Sequence, residues 1–236
     1  MSEKDTMLSI SNLQAFYGES HVLHGIDIDV KQGELITLLG RNGAGRTTTL
    51  KSILGLVDKR TGSIKIRGQE ITSVPAYRIA HYGIGYCPEE RGIFASLSCE
   101  ENLLLPPVVK TGGMDLQEIY QMFPNLAERK DSPGMRLSGG EQQMLAIARI
   151  LRTGADLLLL DEITEGLAPV IVKAIAQVIH QLKSRGYTII LVEQNFRFAS
   201  SLADRHYVLE HGKVVLSVGK DELQNKMEEM ERYLGV

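Results

Sequence analysis

The chain has 236 residues, with 26 lysines and arginines against 29 aspartates and glutamates for a formal net charge of −3, and 43% of it is hydrophobic. That length suits one domain, alone or with an inserted subdomain, and suffices for a sizeable core. The slightly acidic balance argues against a general nucleic-acid surface, and no apolar run reaches the roughly 18 residues that a bilayer span needs.

In chain order, Met1-Ser2-Glu3-Lys4-Asp5 lacks the apolar core of a secretory signal, so the expectation is a cytoplasmic protein that reaches a membrane only through a partner. Residues 7–13 and 22–30 read as strands. The second alternates from His24 to Val30 as a half-buried antiparallel strand does. Residues 35–39 form a buried strand that runs into Gly40-Arg41-Asn42-Gly43-Ala44-Gly45-Arg46-Thr47. This is the phosphate-cradling pattern G-x-x-x-x-G-K-[ST] with arginine in the lysine position. Glycines let successive backbone N–H groups curl around phosphates, and a helix predicted over 46–54, closed by Gly55, adds its positive end. Thr47 offers a hydroxyl to Mg²⁺. The candidate nucleotide-binding residues of the loop are therefore Gly40, Arg41, Asn42, Gly43, Ala44, Gly45, Arg46, Thr47 and Thr48. A tight turn between strand and helix shares the spelling; the strand–loop–helix context favours the nucleotide.

Residues 63–67 are a further strand. From 87 to 155 the character changes to helix. Ser98-Cys99-Glu100-Glu101 is a capping box opening a short helix that Pro106-Pro107 ends, and longer helices are predicted over 115–123 and 138–152. Strands at 157–160 and 188–192 then alternate with helices at 169–184 and 196–203, before strands at 207–209 and 214–218. The tail over 221–233 reads as an exposed amphipathic helix. The expected fold is α/β: a phosphate-loop NTPase of one domain, 1–236, with a RecA-like parallel core sheet and an N-terminal antiparallel β subdomain (1–86 with 156–236). A helical subdomain is inserted at 87–155.

Four leucines, 157–160, end in Asp161-Glu162. Ligands of open α/β sheets sit at the carboxyl ends of the strands, where Asp161 can hold Mg²⁺ and Glu162 can orient and polarise an attacking water. Leu137-Ser138-Gly139-Gly140-Glu141-Gln142 opens the helix over 138–152, which is roughly 22 Å long, whereas the strand it feeds is about 13 Å. Running antiparallel to that strand, the helix brings Ser138 and its free N–H groups to the phosphate side, where a second copy of the domain could supply a phosphate.

The glycine loop, Leu137–Gln142 and Leu157–Glu162, in that order and spacing, resemble the ATP-binding cassette ATPases over essentially the whole chain. The resemblance implies two such domains sandwiching two ATPs, with Ser138, Gly139, Gly140 and Glu141 addressing the ATP of the opposite subunit. Finer features resemble the ATPase subunits of branched-chain amino-acid importers: Tyr86-Cys87-Pro88-Glu89-Glu90-Arg91-Gly92-Ile93-Phe94, Glu165-Gly166-Leu167-Ala168-Pro169 and Val192-Glu193-Gln194-Asn195. Here Glu89 stands where most cassettes have glutamine, and Gln194 where most have a switch histidine. Tyr17 matches the aromatic that stacks on adenine. The implied metal set is Thr47, Glu89 and Asp161, and the implied catalytic set is Glu162, Gln194 and Arg46.

The resemblance further implies ATP and Mg²⁺, a second ATPase subunit (identical or not), transmembrane permease subunits, indirectly a periplasmic solute-binding protein, and a location on the inner face of the plasma membrane. Arg46 is the main departure. Arginine keeps the charge but puts a planar fork on a bulkier head, so the expectation is weaker ATP binding and hydrolysis lowered at least about tenfold, since one misplaced donor at a transition state costs about 10²–10³. A nucleotide-binding subunit with little or no hydrolysis is the alternative this leaves open. Ile163 replaces a proline usual in the family. Cassettes of DNA repair and translation fit less well, for the chain lacks a second cassette or a coiled-coil insertion. The six histidines and two cysteines show no metal-ligand spacing.

Overall fold

The computed structural model describes residues 5–235. Two sheets organise it. β1 (Thr6–Tyr17), β2 (Ser20–Lys31), β4 (Lys59–Ile66) and β5 (Gln69–Glu70) form an antiparallel sheet in the order β2-β1-β4-β5. The second sheet contains β3 (Leu35–Leu39), β6 (Ile84–Cys87), β7 (Leu157–Asp161), β8 (Thr188–Val192), β9 (Arg205–Glu210) and β10 (Lys213–Gly219), in the order β10-β9-β3-β8-β7-β6. All of its pairings are parallel except β10 with β9. β3, β7 and β8 are buried throughout, which is why they read as unbroken apolar runs rather than alternating ones.

The core splits along these strands by side-chain parity. Leu158, Leu160, Ile189 and Leu191 face the helices α6 (Gly139–Arg152) and α7 (Pro169–Ser184). Leu157, Leu159, Ile190 and Val192 face α1 (Arg46–Leu54) and the antiparallel sheet. α1 ends at Gly55, whose left-handed φ of 71° lets its N–H return to the carbonyls of Lys51 and Ser52. Arg60 closes the same end: its guanidinium donates to the carbonyls of Ser52, Ile53, Thr72, Ile71 and Val74.

A short helix α2 (Ala76–Ile79) precedes β6, and α3 (Cys99–Leu104), α4 (Leu116–Met122), α5 (Pro124–Glu128) and α6 lie between β6 and β7. The capping boxes at Ser98 and Ser138 both form, and a third opens α4 from Asp115. α6 runs antiparallel to β6. Gln143 near its start donates to Cys87 Sγ at the carboxyl end of the strand, while Ile150 near its end lies against Gly85, closer to the start of the strand. The first turn of α6 also touches α7, for a Cβ on Gly140 would lie 2.8 Å from Ile171 Cγ2.

The α/β expectation holds, with strand, helix and sheet types as read. β5, α2 and α5 lie outside the expected elements, and two further elements differ. Residues 84–87 are a strand at the edge of the parallel sheet, not anticipated because a four-residue run containing glycine carries little pattern. The helix expected over 221–233 is instead a 3₁₀ turn at Lys220–Glu222 followed by α9 (Met227–Leu234). Its face is not left to solvent either: Met230 is fully buried with Leu39, Val208, Val218 and Ala199, the last from α8 (Phe196–Leu202).

Candidate functional site

The glycine loop leaves β3 at the carboxyl edge of the parallel sheet and enters α1. Two of its glycines are required by space as well as by backbone. Gly40 has φ 150°, and a Cβ there would lie 2.4 Å from the Leu209 carbonyl oxygen; at Gly45, φ 103°, a Cβ would meet Leu23 Cδ2 at 2.7 Å. The loop, the start of α1, and the ends of β7 and β8 enclose a cleft of about 340 Å³ lined by Asn42, Gly43, Ala44, Gly45, Arg46, Thr47 and Thr48, with Val22, Glu89, Glu162, Glu165 and Gln194.

Most of the residues singled out in the sequence converge here. Thr47 Oγ1 donates to Asp161 Oδ1 at 3.1 Å, and Tyr86 OH donates to Asp161 Oδ2 at 3.2 Å. Burial pushes the Asp161 carboxyl up to about 6, against the lowering effect of those two hydrogen bonds. Glu162 follows with a left-handed φ of 47°, its N–H bonded to the Val192 carbonyl at 2.9 Å. That backbone aims its side chain into the cleft. Gln194 Nε2 donates to Glu162 Oε2 at 2.7 Å.

Arg46 is held in the cleft by Glu162 and Asn42. Its Nη2 donates to Glu162 Oε1 at 2.8 Å and to Asn42 Oδ1 at 3.2 Å, so both carboxylate oxygens of Glu162 are engaged. Among the described residues Arg46 Nη1 is buried without a partner. A buried cationic donor left unsatisfied beside a glycine loop is suited to an anion. Carboxylate oxygens of Glu89, Glu162 and Glu165 lie within 4.8 Å of one another, hard oxygen donors of the kind a divalent cation takes.

Other expected residues sit apart from the cleft lining. Tyr17 is half exposed at the end of β1. Arg41 is directed to the far end of the chain, where its guanidinium abuts Gly235. Ser138 is exposed at the start of α6; its Oγ accepts from the Glu141 N–H at 3.3 Å and its own N–H donates to Glu141 Oε2 at 2.7 Å. Ser138, Gly139, Gly140 and Glu141 do not line the cleft of their own chain. Three further residues, quoted above only within longer stretches, had no role assigned from the sequence. Glu165 reaches the cleft from the segment after β7, and Tyr86 holds Asp161 from β6. Glu193, fully buried, accepts from the Thr164 N–H at 3.1 Å and its hydroxyl at 3.0 and 2.9 Å, and burial pushes its carboxyl up to about 7. Only Glu165 carried a signal, as an acid four residues past Asp161.

Residues 23–165 match the family model described as ABC transporter. The chain is 40% identical to the high-affinity branched-chain amino acid transport ATP-binding protein BraG of Pseudomonas aeruginosa, over 97% of this chain and 100% of that one. It is 33% identical to the lipopolysaccharide export system ATP-binding protein LptB of Haemophilus influenzae, over 98% of both. The fold superposes on the dimeric structure of a bacterial ABC transporter cassette with a TM-score of 0.80 at 25% identity, covering 91% of this chain and 99% of that chain. The chain belongs to the ABC transporter family as an ATP-binding cassette ATPase subunit.

Proposed function

We propose that this subunit drives an importer of small polar solutes, branched-chain or related amino acids being the favoured cargo. The observation that carries the catalytic part is the convergence of Thr47–Asp161 and Glu162–Gln194 on one cleft beneath the glycine loop. The likeness to BraG, with Glu89 and Gln194 in its favour, supports import of amino acids over lipopolysaccharide export.

In this reading the N–H groups of residues 43–48 and the start of α1 hold the β- and γ-phosphates of ATP, and Tyr17 stacks on the base. Thr47, Asp161 and Glu89 hold Mg²⁺, which when bound neutralises charge on the phosphate oxygens. Glu162 orients the attacking water and draws its proton, and Gln194 fixes Glu162 through its amide. Ser138 and the free N–H groups of α6 address the ATP of a second ATPase subunit, as the dimeric state of the related cassette suggests. Exposed Phe94, Leu104, Leu105 and Val108 form the surface for a permease subunit. No helix among the described residues is long and apolar enough to cross a membrane, so the subunit sits peripherally on the inner face, and a periplasmic binding protein delivers the solute.

A second reading, a cassette that binds nucleotide with little turnover, is favoured by one observation: Arg46 already occupies Glu162. Reconstituting the subunit with its permease partners in vesicles and measuring ATP-dependent uptake of labelled leucine decides between them. Uptake with phosphate release supports the motor. Nucleotide binding without either supports the second reading, and uptake of a different solute corrects the cargo.

A further inference from the structure

Arg41 belongs to the glycine loop by sequence, yet its side chain is not among those that line the cleft. It is laid against α9 instead. A Cβ on Gly235, the residue that ends this helix with φ +77°, would stand 2.6 Å from Arg41 Nη2 and 2.9 Å from its Nε. The last carbonyls of a helix form its negative end, so a guanidinium placed there is attracted.

α9 meets the same stretch of chain a second time, on the other flank of Gly40. Met230, earlier in the helix, is fully buried in one cluster with Leu39, the last residue of β3, and with Val208, Val218 and Ala199. Leu39 and Val208 are paired in register, so Met230 rests on the two strands between which the loop departs. Tyr233 and Leu234 add half-buried contacts to that seat. Phe196 packs on the same cluster two residues beyond Gln194, which puts the segment carrying Gln194 on the seat as well.

We propose that α9 braces the root of the glycine loop through Met230 and Arg41, and that Arg41 is a positioning residue for nucleotide rather than a contact to it. The proposal rests on the nucleotide reading of the cleft. A loop that presents several N–H groups to one ligand gains affinity when its entry is fixed beforehand, because less ordering is left for the binding step. Leu39 under Met230 and Arg41 against Gly235 fix that entry on both sides of Gly40. By reciprocity, nucleotide seated in the loop tightens the seat of the helix.

ATP affinity and hydrogen–deuterium exchange of the full chain test this, both measured with Mg²⁺ at a temperature where every variant is folded. In the parent, ATP is expected to slow exchange at least about threefold in residues 40–47 and also in residues 227–234. Met230→Ala empties the seat and is expected to speed exchange at 227–234 and raise the Kd for ATP at least about threefold. Gly235→Val, at an exposed position, pushes the guanidinium off the helix while the loop keeps its charge, and is expected to raise the Kd by a similar factor. A purely structural helix would lower the melting temperature in these variants and leave the Kd alone. Parent affinity in either variant overturns the proposal while the nucleotide reading stands, and so does a parent that responds at 40–47 but not at 227–234. No response at 40–47 in the parent removes the nucleotide reading, and this proposal with it.

Discussion

The Arg46 guanidinium and the Glu162 carboxylate meet at 2.8 Å, with the two side chains only 5% and 9% exposed. A pair so screened from water is hard to separate, because removing either partner leaves an uncompensated buried charge. Under the proposed function, triphosphate entering the cleft has to draw Arg46 off Glu162 before that carboxylate serves a water molecule. A lysine at position 46 carries a compact ammonium on a shorter side chain in place of that guanidinium.

Arg46→Lys is therefore expected to raise ATP hydrolysis at least about tenfold, the lower end of what one well-placed donor contributes at a transition state. Steady-state phosphate release by the purified subunit measures it. Equal turnover in the two proteins would show that the Arg46–Glu162 pair does not limit the reaction.

Glu162→Gln keeps one carbonyl oxygen to accept from Arg46, turns an NH₂ toward Gln194 that is matched once the Gln194 amide flips, and no longer takes a proton from water. The variant is expected to hold ATP and not ADP after incubation with nucleotide and gel filtration, with hydrolysis lowered about 10²-fold or more. Recovery of ADP at the parent rate would assign the water to another residue.

Arg60 donates to five backbone carbonyls, two of them at the end of α1. Arg60→Ala is expected to cost about 2–4 kcal/mol, since several half-buried carbonyls lose their donor together. Urea unfolding reads this directly, and a loss below about 0.5 kcal/mol would mean that water replaces the guanidinium.

His206 is fully buried, its Nδ1 2.6 Å from Thr37 Oγ1, and burial lowers its pKa from 6.5 to about 4. As pH falls, the unfolded chain therefore takes the proton first. The contribution to stability, about 3 kcal/mol, is present in full above pH 6.5 and is lost as pH falls toward 4. Asp161 and Glu193, whose carboxyls burial raises to about 6 and about 7, act with the opposite sign. The difference between the parent and the double variant Thr37→Val with His206→Leu isolates the histidine. That difference should shrink between pH 7 and pH 5 in denaturant titrations, and a constant difference would contradict the assignment.

Local signals in the sequence located α1, β3, β7, β8, α7 and the start of α6 closely, because each rests on contiguous residues: a glycine end, an apolar run, a proline in the first turn, or a serine and glutamate three apart. β6 was too short to show a period. The burial of Met230 depends on a floor built by Leu39, Val208 and Val218, residues remote in the chain, so the tail's apolar face looked free. The composition of the cleft was legible because its motifs are spelled in short stretches. The pairing of Arg46 with Glu162 was not, since its partner lies 116 positions away and neither motif names the other.

Gly140 shows that a phosphate-binding spelling can have a purely mechanical cause. With Ile171 at 2.8 Å from where a methyl would sit, any larger residue would wedge the serine-bearing helix off its neighbour, whatever nucleotide is near. A descendant that had abandoned ATP altogether would still have to move Ile171 before giving up that glycine.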